Sequence, residues 1–520
     1  MANIQTFRSF VGKLSPKTNA VNRAGAPAYS LSAKHALAQY AATGCFNATF
    51  YASAEEQLDQ VLTLARSVEP EFLAKTAAFC RQRGAMKDMP ALLCAALSTS
   101  ESKWCSAAFP HAIDDAKQLR NFVQMIRSGV VGRKSLGTRP KRLVTAWLNA
   151  RTEEQLFRAS VGQSPSLVDV IKMVHPKPAT DARRAFYGYL LNRPHDAEQL
   201  PEIVKQFEAF KAGQTSVVPD VPFQMLTALP LAKAQWVAIA QNAGWQMTRM
   251  NLNTFARHGV FSEAGMDSLI AARLADRNSI RKARAFPYQL LAAFRSVAEE
   301  VPAIVKAALQ DALEIALENV PAIAGKIYVL VDVSGSMASP ITGHRQGATS
   351  AMRCIDAAAL VAAALLRKNP SAEIVPFEHQ VVENLKLNPR DSVMTNADRL
   401  AAVGGGGTNC SAPLAFLNAK RAKGDLVVFV SDNESWLGAQ RAARGATGVM
   451  HEWQTFKTRN PAARLVCLDF VPNETTQARE ADDILNIGGF SDVVFELLSQ
   501  FAKGELGADH WVGEIEKVAI

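Results

Sequence analysis

Five oxygen-bearing side chains mark the first place in this chain where residue type and spacing could do chemistry. Asp332, Ser334 and Ser336 form a D-x-S-x-S run, Thr408 follows four consecutive glycines at 404–407, and Asp432 stands in a Ser-Asp-Asn-Glu run ending at Glu434. A hard divalent cation prefers oxygen ligands completed by water, and Mg²⁺ in particular keeps several waters. The set predicts a site for one divalent cation, Mg²⁺ being the expected ion, with an open coordination position for a partner's carboxylate or phosphate. No general base, nucleophile pair or phosphate-loop lysine accompanies these residues, so they do not read as an enzyme's active site. A metal-dependent hydrolase or nuclease is the weakest alternative, because one cation without a positioned base gives little rate enhancement.

A second group of residues is basic. Arg127, Arg133, Lys134, Arg139, Lys141 and Arg142 lie in and around a glycine-containing loop. Arg273, Arg277, Arg281 and Arg284 are spaced four, four and three apart, which predicts one stripe along a helix, with Lys282, Phe286 and Tyr288 beside it. Such a stripe can track a phosphate backbone. The competing reading is a solvated face with acidic partners, but only Asp276 is close enough in sequence to neutralise it. Lys172 and His175 occupy a Lys-Met-Val-His-Pro-Lys-Pro run at an expected helix end, where a histidine alone reads more readily as a cap than as a contact.

The elements that must position these groups divide the chain in two. A length of 520 residues exceeds what one core usually serves. From about residue 31 to 310 the apolar pattern is helical, broken by Gly and Pro into many helices with short turns, the texture of helix-pair solenoids. Ser53 to Glu56 and Thr152 to Gln155 read as capping boxes. Beyond Pro321 the texture changes to strands at 327–333, 373–377, 426–430, 465–470 and near 484, alternating with helices at about 349–367, after the glycine loop, and at 492–501. That alternation predicts a doubly wound α/β domain, in which sites gather beyond the carboxyl ends of the strands. The expected domains are therefore 1–320, helical, and 321–520, α/β.

Charge follows the same division. Residues 1–320 hold 38 Lys and Arg against 26 Asp and Glu, and residues 321–520 hold 19 against 22. A basic half beside a slightly acidic one suggests that the first meets a polyanion. The seven cysteines are scattered and lack C-x-x-C pairs, which fits a reducing cytoplasm better than a disulfide or zinc framework. The longest apolar run, 357–366, is far too short to span a bilayer, and the first 14 residues show no signal-peptide core.

The D-x-S-x-S, Thr and Asp segments, in that order, resemble the metal-ion-dependent adhesion site of von Willebrand A and integrin I-type domains. With the helical half in front, the chain resembles the Ro autoantigen family, which joins a TROVE domain to a von Willebrand A domain. Further motifs similar to the family's are Met125 to Gly129 with Gly132 and Arg133, the Trp147 helix, Asp169 to Pro178, Arg281 to Pro287, Gly406 to Thr408, Ser431 to Glu434 and Gly488 to Phe490. The resemblance implies a ring of HEAT-like helices with a basic central hole. It also implies binding of small structured Y RNAs on the outer surface, near Lys172 and His175, and capture of single-stranded 3′ ends of misfolded RNAs in the hole. A 3′ exonuclease tethered through the Y RNA is the implied protein partner, making the chain an RNA quality-control adaptor. One departure is visible: the family's usual Gly-Gly-Thr-Asp-Cys is here Gly406-Gly407-Thr408-Asn409-Cys410. The alternative from another functional class is a metal-dependent protein-adhesion module without specific RNA binding.

Overall fold

The structure is a computed structural model. It describes residues 16–506 and 510–520 apart from 44, 45, 85, 101, 102, 284–286, 319, 342, 345–351, 436–444, 472, 490 and 491. Two compact units are present, one helical over residues 73–283 and 293–315, the other made of residues 16–72, 287–292 and 316–519. A boundary at 320/321 divides the second unit, whose amino-terminal part is built into its sheet region.

That part begins with β1 (Ala20–Val21) and β2 (Pro27–Ser30), an antiparallel pair. The main sheet follows with β3 (Ile327–Asp332), β4 (Glu373–Phe377), β5 (Leu426–Ser431) and β6 (Arg464–Asp469). A short β7 (Thr475–Thr476) pairs with β2, and β8 (Ile484–Gly488) completes the main sheet. The five main strands are all parallel in the order β4-β3-β5-β6-β8. All residues of β3 and β5 are buried, which explains why both are apolar up to the Asp332 or Ser431 that ends them: a strand covered on both faces has no polar alternation to show.

One sheet face packs Tyr328, Leu330, Val427, Phe429, Leu465 and Cys467 against Leu414, Leu417, Trp453 and Phe456 from the helices Ala412–Ala419 and Gly448–Arg459. The helix Cys354–Lys368 is buried almost all round, as its alanine-rich sequence allows. Its expected start near 349 falls on residues outside those described.

In the helical unit, Ala116–Ser128 turns Leu119, Phe122, Val123 and Ile126 inward, each contributing roughly 1.5–3 kcal/mol by burial. Asp115 caps its start through Gln118 N, and Gly129, at φ 89°, ends it in the left-handed conformation. Both expected capping boxes form, ahead of Ala54–Ser67 and Glu153–Ala159, and Ser166 with Asp169 makes a third. Among the described residues, no helix is long and apolar enough to cross a membrane.

Candidate metal centre and basic surfaces

The chain leaves β3 for β4 on one side and returns to β5 on the other, so the crevice of this sheet opens between the carboxyl ends of β3 and β5. Asp332 ends β3 and Asp432 follows β5. Both are buried, as are Ser334, Ser336 and Thr408. Ser334 N donates to Asp332 Oδ1 at 2.9 Å, and Ser431 Oγ donates to Asp332 Oδ2 at 2.8 Å from the neighbouring strand. The hydroxyls of Ser334 and Ser336 lie 3.3 Å apart. The glycine loop docks on this turn through its backbone: Gly335 N donates to Gly406 O at 3.1 Å and Gly405 N to Val333 O at 3.2 Å. Gly406, at φ 79°, has no room for a Cβ because the Glu378 carboxylate fills that space.

The three segments that carry the predicted ligands therefore converge. They bring more acid than the sequence reading assigned. Glu434 is fully buried beside Asp432, and Asp469, paired in register with Ser431, adds another buried carboxyl. Burial and the charge of Asp332 push Asp432 up to about 8, and burial pushes Glu434 up to about 7. Burial and the charges of Asp432 and Glu434 also raise Asp469 well above the carboxylate range. Among the described residues no three acids stand close enough together to hold a cation by themselves, so a cation here would rest on Asp332 and Asp432 with the hydroxyls around them, and it would relieve the repulsion between those two buried carboxyls. Glu434 Oε1, buried without a hydrogen-bond partner, points the same way. Asp469 was findable in the sequence as an acid at a strand's carboxyl end.

Asn409, the departure from the family pattern, is used as an amide. Its Oδ1 accepts from Ser411 Oγ at 2.7 Å, and its Nδ2 donates to His379 O at 3.3 Å, which an ionised aspartate could not do.

The basic residues separate into struts and surface groups. Arg133 donates to the carbonyls of Ser98, Ser135 and Leu136, and Arg139 to that of Ser100, so both tie the loop to its neighbours. Arg127, Lys134, Lys141 and Arg142 are exposed around it. Lys172 and His175 are also exposed, and His175 is the left-handed cap of the helix Leu167–Val174, donating its N–H to Ile171 O.

The expected single stripe of arginines does not form. Met266–Leu274 and Arg277–Ala283 are separate helices, because Asp276 breaks the run and caps the second through Ser279 N at 2.8 Å. Arg273 turns inward, donating to Ala240 O and Gln241 O at 2.6 Å each and to Thr248 Oγ1 at 3.1 Å. Arg277, Arg281 and Lys282 are exposed on the second helix. Arg284 lies outside the described residues.

Comparison with known proteins agrees with both halves. The TROVE domain model matches residues 221–360, and the Ro60 vWA domain model matches residues 326–502. A Deinococcus radiodurans protein named RNA-binding protein RO60 is 25% identical over 525 residues, covering 93% of this chain and 95% of the relative. A Caenorhabditis elegans protein of the same name is 23% identical over 283 residues, covering 50% of this chain and 40% of the relative. The crystal structure of the Deinococcus radiodurans RO (RSR) protein superposes with a TM-score of 0.63 at 21% identity, covering 91% of this chain and 100% of that one. The shared fold is therefore a helical TROVE domain followed by a von Willebrand A domain with a parallel sheet.

Proposed function

Because the chain belongs to the Ro family, joining a TROVE domain to a Ro60-type von Willebrand A domain, we propose that it is an RNA-binding scaffold and not a catalyst. The observation that carries this reading is the family match together with cations left exposed on the helical unit. Arg127, Lys134, Lys141 and Arg142 form one group, Lys172 and His175 a second, and Arg277, Arg281 and Lys282 a third. Phosphate contacts from such groups supply affinity with little sequence demand. Two relatives are named as RNA-binding proteins, which supports the same assignment.

The finer reading gives each surface a task. Lys172 and His175 help bind a small structured RNA of the Y type on the outer surface. Arg277, Arg281 and Lys282 contact the single-stranded 3′ end of a misfolded RNA, and the scaffold passes that RNA to a 3′ exonuclease tethered through the structured RNA, in the cytoplasm. Asp332, Ser334, Ser336, Thr408 and Asp432 hold one Mg²⁺-class ion, whose contribution is to neutralise the buried carboxylates and fix the three loops. Filter binding of a 3′-tailed RNA and a blunt duplex across a salt series tests the RNA reading. Replacing Arg277 and Arg281 together by Ala should flatten the slope of log affinity against log salt for the tailed RNA, by ~0.7 for each phosphate left without its cation, and leave the duplex nearly unchanged. An unchanged slope for the tailed RNA would remove these arginines from the interface.

A further inference from the structure

The turn that follows β5 does more than present Asp432. Ser431 Oγ, which donates to Asp332 Oδ2, accepts from Asn433 N at 2.9 Å, and Asp432 Oδ1 accepts from Glu434 N at 3.2 Å. The backbone of the turn is thus folded around the two carboxylates. Asn433 stands in the left-handed conformation at φ 65°, which asparagine tolerates. Its side chain donates to Thr475 O at 2.9 Å and accepts from Gln477 N at 3.1 Å, fastening the turn to β7. The next two residues reach the amino-terminal hairpin and the glycine loop. Glu434 Oε2 accepts from Ala24 N at 3.1 Å, and Ser435 O accepts from Asn22 Nδ2 at 2.9 Å. Ser435 Oγ accepts from Cys410 N at 3.1 Å, two residues beyond Thr408. Asn22 is 5% exposed, and its Oδ1 accepts from Ala26 N at 2.7 Å, closing the β1–β2 turn. Its carboxamide is held at both ends. Three pieces therefore meet at Ser435: the turn carrying Asp432, the loop carrying Thr408, and the β1–β2 hairpin, all within one compact unit.

We propose that Asn22 is a positioning residue of the cation site: by holding Ser435 it sets the separation of the loops that bear Asp432 and Thr408, so that cation binding and docking of the β1–β2 hairpin are linked. The proposal rests on the reading that the site binds a cation. A small hard cation such as Mg²⁺ demands near-ideal oxygen geometry. Asp432 and Thr408 lie beyond the strands, so their spacing depends on loop contacts such as that of Cys410 N with Ser435 Oγ. If the hairpin leaves, the buried Ser435 O loses its donor, and an unsatisfied buried carbonyl favours a shifted turn. The shift would move Asp432 and the glycine loop together, because both are tied to the same residue. Linkage is reciprocal: whatever factor hairpin docking adds to cation affinity, a bound cation adds to hairpin docking.

Tb³⁺, a luminescent oxygen-seeking cation, is the probe, used with the full chain, and hydrogen exchange over residues 20–28 reads the hairpin. Wild type should bind Tb³⁺ and lose that binding with Asp332→Ala. Saturating Tb³⁺ should slow exchange of the Ala24 and Ala26 amides, both hydrogen-bonded in the docked turn, by roughly five- to tenfold, the lower end of coupling between linked sites. Asn22→Ala should weaken Tb³⁺ binding by the same factor. Ser435→Ala cuts the link from the other side, removing the acceptor of Cys410 N and keeping the carbonyl that Asn22 holds. It should also weaken Tb³⁺ binding and make hairpin exchange much less responsive to the ion, and it serves as the test if the Asn22 variant fails to fold. A merely structural Asn22 would lower the melting temperature of a folded Asn22→Ala variant with Tb³⁺ affinity unchanged. That result, or wild-type exchange over 20–28 indifferent to Tb³⁺, would overturn the linkage while leaving the metal site standing. No Tb³⁺ binding that depends on Asp332 would overturn the metal site, and the linkage with it.

Discussion

Arg273 offers a sharp test of whether its positive charge serves the fold or the RNA. Its guanidinium donates to the carbonyls of Ala240 and Gln241 and to Thr248 Oγ1. The carbonyls belong to the last turn of the helix Lys233–Asn242, whose final C=O groups lack partners within the helix. Ala240 is fully buried, so water cannot replace that bond, whereas Gln241 is exposed and its carbonyl can be rehydrated. Hydrogen bonds to charged groups contribute roughly 1.5–3 kcal/mol, and only the enclosed one counts in full. Arg273→Ala should therefore cost about 2–3 kcal/mol, or roughly 5–10 °C in the melting of a unit of this size. Arg273→Lys, one ammonium in place of a planar fork, should recover little of that loss. Circular dichroism melting reads the stability, and the salt-dependence of tailed-RNA binding reads the interface. A variant that melts like wild type but flattens the salt slope by ~0.7 would show that Arg273 serves the RNA and that its bonds to Ala240 and Gln241 do not hold the fold.

Three further outcomes follow from the same geometry. Asp332→Ala should abolish Mg²⁺ binding by calorimetry while RNA affinity stays nearly constant, because the residue is buried in the A-type unit. Mg²⁺ should raise the melting temperature more at pH 8 than at pH 6: unfolded carboxyls titrate near ~4, whereas the folded metal-free site holds Asp432 at about 8 and Glu434 at about 7. Folding thus binds protons between about pH 4 and 8, metal-free stability falls as pH rises through that window, and a cation competing with those protons gains; a shift independent of pH would contradict this. Lys172→Ala with His175→Ala should weaken binding of a stem-loop RNA more than of a single strand in gel-shift titrations, and an equal loss for both would reduce the pair to nonspecific attraction.

The α/β half was legible because its signals are local. A strand buried on both faces must be apolar throughout, and 327–332 and 426–431 are, up to the polar residue that ends each. The residues that close each strand inherit the crevice from the topology, so strand order alone brings Asp332 and Asp432 together. The basic stripe failed for an equally local reason that periodicity does not register. Spacing at four, four and three assumes one continuous helix, whereas Asp276 offers its carboxylate to Ser279 N and begins a new one. Once the helix is broken, Arg273 faces the end of its neighbour and Arg277 faces solvent.

What stayed hidden was the part of the site supplied from far along the chain. Ala24 and Glu434 are 410 residues apart in sequence, and Asn22 and Ser435 are 413 apart. Neither contact leaves a periodic trace, since both depend on one short turn in which Asn22 Oδ1 accepts from Ala26 N. The ligand motif reports which oxygens surround an ion, because those residues are fixed by the strand ends that carry them. It is silent on which distant segments pack beside those oxygens. Here Asn22 and Ala24 reach Ser435 and Glu434, and a boundary at 320/321 assigns them to the other half. The surroundings of an A-type site are thus decided by tertiary structure outside the motif.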